Sequence, residues 1–191
     1  MISGAVRDEL ISRYGEPHRR YHTMTHIEDC LAQVAASTDF SDEQRSLMDA
    51  AIWFHDAIYD ATRHDNEAES ARLAVDRLTA AGAEPAFIDE VSRLILLTAG
   101  HSVEPGDAIG ARLVSIDLSI LGAPPGRYDA YAAAIRFEYG HVPEPLYRAG
   151  RAAILGRFLE GGRLFADPVW ADRYEEQARA NLTREIAALT A

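Results

Sequence analysis

A chain of 191 residues with a formal net charge of -11 and a hydrophobic fraction of 48% is long enough to bury one sizeable core, too apolar for a disordered polymer, and too acidic for an extended nucleic-acid surface. Its basic side chains are all arginine, which excludes Schiff-base chemistry on a lysine. No apolar run approaches the ~20 residues of a membrane span, and Met1 to Leu10 hold no basic-then-apolar leader, so the expectation is a cytoplasmic protein with no membrane partner.

From Ser3 to Tyr14 the apolar positions Val6, Leu10 and Ile11 recur at helical spacing until Gly15 and Pro17 stop the run. Glu16 to Met24, dense in rings and charge, reads as a loop, and Ile27, Leu31, Val34 and Ala35 predict a helix over about Thr25 to Ser37. Cys30 lies in that run and reads as a buried free thiol; being alone, it cannot make an internal disulfide. Ser41 and Gln44 form a capping box ahead of Leu47, Ala50, Ala51, Phe54 and Ile58, which places His55-Asp56 near the C-terminal end of a buried helix. Asn66 with Glu69 looks like another cap, for a helix ended by Gly82. Pro85 starts a helix reaching Gly100-His101, Ser102 to Gly110 reads as a loop, and Leu113 to Leu121 as a short helix ended by Gly122-Ala123-Pro124-Pro125. Three more helices follow, over about Tyr128 to Tyr139, Glu144 to Leu159 and Val169 to Leu189. With no strict alternation of β-branched residues and no internal repeat, the expected fold is an all-α bundle of eight or nine helices in a single domain spanning 1-191.

The chemistry centres on Trp53-Phe54-His55-Asp56-Ala57-Ile58. An imidazole and a carboxylate among such neighbours are expensive to bury unless paired or bound to a metal, and together they offer one neutral nitrogen and one anionic oxygen to a divalent cation. His26 stands four residues after His22, on one face if the helix already includes His22. Asp117 is an acid in the apolar run Leu113 to Leu121, either facing a cation or capping a helix that begins at Leu118. His26, His55 with Asp56, and Asp117 are thus the metal-type ligands. Arg19 and Arg20 belong to a local basic cluster with Arg13 and His18 that suits a small phosphorylated ligand, and with Tyr21 they are candidate substrate contacts. Asp60 and Glu67 follow the doublet in a ring around the mouth and are candidate substrate contacts, with a structural role weighed equally for each and Glu67 also suiting a first helical turn through the dipole.

The order His, His-Asp, Asp resembles the HD superfamily of metal-dependent phosphohydrolases over roughly residues 20 to 122. Arg20-Tyr21-His22, Trp53-Phe54-His55-Asp56 and Ile116 to Gly122 look like a bacterial group of predicted HD-domain hydrolases. The resemblance implies a helical metal-binding core at about 20-122 with C-terminal helices over 125-191 packed on it, and His26, His55, Asp56 and Asp117 as ligands. Tyr21 to Asp29 is similar to the phosphodiesterase motif in which the first histidine donates a proton to the leaving oxygen, which would give His22 the acid role, with Asp56 counted among the catalytic residues as well as the ligands. The phosphodiesterases place a further histidine and Pro-Gly after the doublet, where this chain has Ala57 to Asp60. His101 is a candidate replacement ligand or substrate contact.

Mixed imidazole and carboxylate ligation suits Mn, Mg, Fe, Co or Ni, and a divalent ion activates water and offsets phosphoryl charge. The implied activity is hydrolysis of a phosphoester in a small nucleotide or related metabolite, with a homodimer as the candidate assembly. A di-iron oxygenase and a non-catalytic nucleotide- or metal-binding sensor are the alternatives.

Overall fold

The structure, a computed structural model, describes residues 2–191. Its described residues form nine α-helices and one 3-10 helix, with no strand, as the helical periodicities predict. No helix among them is long and apolar enough to cross a membrane. The contacts fall into two compact units, one running to Leu113 and one starting at Val114.

The first unit holds α1 (Gly4–Tyr14), α2 (Met24–Ala36), α3 (Asp42–Phe54), α4 (Asn66–Ala80), α5 (Pro85–Leu97) and the start of α6 (Ala108–Asp117). Helix α3 begins at the expected capping box, in which Ser41 Oγ accepts from Gln44 N and Gln44 Oε1 accepts from Ser41 N. It packs against α2, α4 and α5. Being enclosed on several sides, its last residues, Ala50 to Phe54, are all buried, which is why apolar residues fill every position of its last turn while its first turn stays polar. Cys30 is a buried free thiol on α2, as expected.

Helix α6 begins five residues before the expected Leu113. Asp107 accounts for the difference: its Oδ1 accepts from Gly110 N, its backbone oxygen from Ala111 N, and its carboxylate also holds Arg93. That aspartate acts as a helix start within a stretch whose Gly and Pro suggest only a loop. Arg112 in the same helix is buried and pairs bidentately with Asp39 while covering the Phe40 ring.

The second unit contains a 3-10 helix (Leu118–Gly122), α7 (Pro125–Glu138), α8 (Glu144–Glu160) and α9 (Pro168–Thr190). Asp167 caps α9 by accepting from Val169 N and Trp170 N. The buried amide of Asn181 on α9 donates to the Leu121 and Ala123 carbonyls, both at 2.8 Å, so one side chain satisfies the frayed end of the 3-10 helix. Gly122 is more than a terminator: a Cβ there would stand 2.5 Å from the Tyr174 Cβ and 2.8 Å from its carbonyl oxygen.

Two stability effects follow. Asn181→Ala strips both carbonyls of their donor inside the protein and should cost about 2 kcal/mol, read as a lower denaturant midpoint. Glu9 on α1 is gripped by Arg77 of α4 and by Arg13; the Arg77 hydrogen bond foremost holds its carboxyl at about 2, below the ordinary 4.5. A depressed folded-state value means that this stabilisation is complete above pH 4.5 and disappears as pH falls toward 2. Glu9→Gln should therefore weaken the protein at neutral pH and flatten the acid limb of a melting-temperature profile.

Candidate metal centre

The site is built at the end of α3. The helix stops at Phe54, so the His55-Asp56 doublet lies in the turn just beyond it and not inside it as the periodicity suggests. The terminal carbonyls are taken by other groups, which is what stops the helix without a glycine. Ile52 O accepts from His55 Nδ1 at 2.9 Å, Trp53 O accepts from Tyr14 OH at 3.0 Å, and Phe54 O accepts from Ala57 N at 2.9 Å.

The first of these bonds has a chemical consequence. With Nδ1 donating to a carbonyl, a neutral His55 carries its proton there and presents a lone pair at Nε2. That Nε2 faces His26 Nε2 at 3.2 Å and Asp56 Oδ2 at 3.0 Å, and His26 Nε2 lies 3.6 Å from the same Asp56 oxygen. Donors bonded at about 2.1 Å to a common ion stand about 3.0–3.4 Å apart in octahedral or tetrahedral arrangement, so the three atoms have the spacing of one face of a coordination sphere. Both imidazoles are buried. Lone pairs and an anionic oxygen this close repel unless a proton or a cation lies among them, and the donor set fits a divalent ion.

Burial pushes the Asp56 carboxyl up, but positive charge on His55, His22 and His26 and the His55 hydrogen bond outweigh it and hold the group below the usual carboxylate range. The oxygen is therefore anionic when the neighbouring imidazoles are protonated. The negative end of the α3 dipole adds to the pull on a cation.

His22 lies before Thr23, the N-cap of α2, so it is not on that helix and shares no helical face with His26. Its ring nevertheless stands 6.3 Å from the His26 ring, edge-on, and stacks on Tyr59 at 4.0 Å. Tyr21 sits 4.8 Å from the His26 ring and 5.0 Å from His22. Cys30, one helical turn after His26, brings its sulfur to 3.7 Å from His26 Nδ1.

Arg19 departs from the expected substrate contact. It is fully buried, and all three guanidinium nitrogens donate inside the protein, to Glu16, His22 O, Asp56 O and Ala57 O. Arg20 is exposed, with Nη1 on the Pro17 and Arg19 carbonyls. Asp60 is also committed locally: its Oδ1 accepts from Thr62 N at 2.8 Å and Thr62 Oγ1 at 2.7 Å, an Asx turn. Asn66, expected as a cap, is the first residue of α4 after the N-cap Asp65. Its side chain braces the loop instead, accepting from Asp60 N at 3.1 Å and donating to Asp60 O at 3.0 Å. Glu67 occupies the first turn of α4, half-buried, where the dipole favours an anion. His101 closes the turn after α5 with its amide on Leu97 O and a left-handed φ of 52°. Asp117 is the half-buried last residue of α6 and makes no side-chain capping bond to the 3-10 helix that follows.

Three supporting residues escape the sequence reading: Tyr59 as a stacking partner, Glu16 as the counter-ion of Arg19, and buried Ser70, whose Oγ accepts from Ile58 N and donates to Ile58 O. Tyr59 lies four residues after His55, and only that proximity hints at its role. Arg136, Arg148 and Arg151 are engaged within the second unit, by Glu144, by the Ala188 and Leu189 carbonyls, and by Glu185. Compared with known proteins, the chain matches no family model, no curated protein and no solved structure.

The Asn66 brace is directly testable. Asn66→Ala removes the acceptor of the Asp60 amide, worth about 1 kcal/mol, and should speed hydrogen exchange at that amide several-fold while the amides of α3 keep their protection.

Proposed function

We propose that this protein is a metal-dependent phosphohydrolase that cleaves a phosphoester of a small nucleotide or related metabolite. The observation that carries the reading is the convergence of His26 Nε2, His55 Nε2 and Asp56 Oδ2 within 3.6 Å of one another. Two imidazole nitrogens and a carboxylate oxygen meeting at one point are a donor set that a divalent cation fits. In this reading His26, His55 and Asp56 are ligands, and the carboxylate of Asp117 is the fourth donor, on the strength of its place in the sequence pattern. Mn, Mg, Fe, Co and Ni all suit such a mixed nitrogen and oxygen set. When bound, the ion supplies an activated water and a positive charge against the phosphoryl oxygens.

The chain's own residues supply the rest. The His55 Nδ1 bond to Ile52 O keeps the ring in the tautomer and orientation that present Nε2. His22, beside the ligand cluster and stacked on Tyr59, donates a proton to the leaving oxygen, a step for which a histidine is suited near neutral pH. Tyr21 and Arg20 are the substrate contacts this reading retains from the loop before α2; Arg20, unlike Arg19, is exposed.

Metal analysis together with a panel of phosphomonoesters and phosphodiesters tests the proposal. Bound metal is expected near one equivalent or more, with turnover in at least one of Mn, Mg, Co, Ni or Fe. His55→Ala and Asp56→Ala should lose the metal, whereas His22→Ala should keep it and slow kcat by about 10²–10⁴-fold. Metal retention with no phosphoester turnover would overturn the hydrolase reading in favour of a sensor, and oxygen consumption by the iron-loaded protein would favour an oxygenase.

A further inference from the structure

Arginine is among the residues least often fully buried, yet Arg19 is 1% exposed, placed in a loop one residue before Arg20, which stays in solvent. Its bonds join three pieces of chain. Nε donates to Glu16 Oε2 at 3.0 Å; Nη1 donates to His22 O at 3.2 Å and to Asp56 O at 2.7 Å; Nη2 donates to Ala57 O at 3.2 Å. The guanidinium carbon lies 5.4 Å from the centre of the Tyr14 ring and 5.5 Å from that of Tyr59, the ring on which His22 stacks.

We infer that Arg19 is a positioning residue: its guanidinium fastens the His22 segment to the Asp56-Ala57 turn and thereby sets where the His22 imidazole stands relative to the ligand cluster. The consequence for rate rests on the hydrolase reading above; the consequence for geometry does not. The planar fork is suited to this task. It reaches carbonyls from both segments at once, with the charge offset by Glu16 and by two aromatic faces. Nη1 alone bridges the two segments, and Nη2 and Nε add Ala57 O and Glu16; a single ammonium nitrogen would lack the planar fork that holds all four acceptors in one orientation. A phosphate clamp, by contrast, needs donors directed at solvent, and those of Arg19 are spent on the protein's own carbonyls.

The closing experiment uses metal-free full-length protein labelled with 15N-arginine and 13C-histidine. In the parent, the Arg19 guanidinium is expected to give separate, slowly exchanging Nη signals that do not move when inorganic phosphate is added. The His22 ring signals, identified by their loss in His22→Asn, are expected to be shifted upfield by the Tyr59 face, as judged against Tyr59→Leu. Arg19→Lys should abolish most of that upfield shift. Where turnover is measurable, Arg19→Lys should lower kcat at least tenfold with KM unchanged and add no further loss in a His22→Ala background.

A rapidly exchanging, rotationally averaged Arg19 guanidinium, or one displaced by phosphate, overturns the inference without any variant having to fold. So does a folded Arg19→Lys whose His22 signals stay at the parent position, or one that raises KM at constant kcat. Absence of turnover in the parent counts against the hydrolase reading alone, because the signals of Arg19 and His22 are read without substrate or metal.

Discussion

The C-terminus of α3 is the constraint on which the rest of the candidate site depends. A helix ends with four carbonyls lacking intrahelical donors, and buried among Trp, Phe and Ile such groups cannot turn to water. Here side chains and a tight turn supply the donors: the His55 imidazole for Ile52, the Tyr14 hydroxyl for Trp53, the Ala57 amide for Phe54, and the Arg19 guanidinium for Asp56 and Ala57. Satisfying the helix end and orienting the site are therefore one event. The bond that quiets Ile52 O also exposes the lone pair of His55, and the bonds that quiet Asp56 O and Ala57 O also fix the loop carrying His22.

Electrostatics runs the same way. The end of a helix carries partial negative charge, so it favours cations in its last turn and just beyond. Arg19 is one such cation, and the anionic Asp56 oxygen lies just beyond the same helix end with two imidazole nitrogens beside it. Tyr14, at the far side of the guanidinium, has its phenol proton held well above the ordinary range, by burial first and by the Asp56 charge after it. It therefore remains a donor to Trp53 O at neutral pH.

Much of the fold is legible in the sequence because helices in a globular core write a 3.6-residue apolar period into the chain, and the α2, α7, α8 and α9 boundaries follow it to within a few residues. Legibility fails where backbone groups are satisfied by distant side chains. Ile58 continues the apolar spacing of α3, so the pattern runs past the true end at Phe54; nothing local announces that Tyr14, some forty residues earlier, takes the Trp53 carbonyl. The same limit explains Asn66, which as a cap residue type is read as a cap but uses its amide across the loop on Asp60. Composition marks Arg19 and Arg20 as equivalent. Burial separates them, since one points inward to carbonyls and the other to solvent. The grouping of His26, His55 and Asp56 was legible for a different reason: polar types at core positions of two apolar runs need partners, and each other's company is the simplest supply.

Buried polar groups in this chain come in two kinds, which differ in how their charges are matched. In the second unit, Arg151 and Glu185 are side by side at 2.9 Å, with the Tyr128 hydroxyl donating to the same carboxylate and the Tyr131 ring beneath the guanidinium. Donors face acceptors and charges cancel, so the cluster is complete by itself, and it holds α7, α8 and α9 together with no ligand required. Arg112 and Asp39 in the first unit behave likewise. The cluster of His26, His55 and Asp56 has the opposite composition. His55 has already used its Nδ1 proton on Ile52, and two imidazole nitrogens and one carboxylate oxygen converge at its other edge. Such a set is held either by a proton shared among the ring nitrogens and the carboxylate or by a cation. It is this composition, two imidazoles on one carboxylate in place of a guanidinium on one, that carries the metal-dependent reading proposed above.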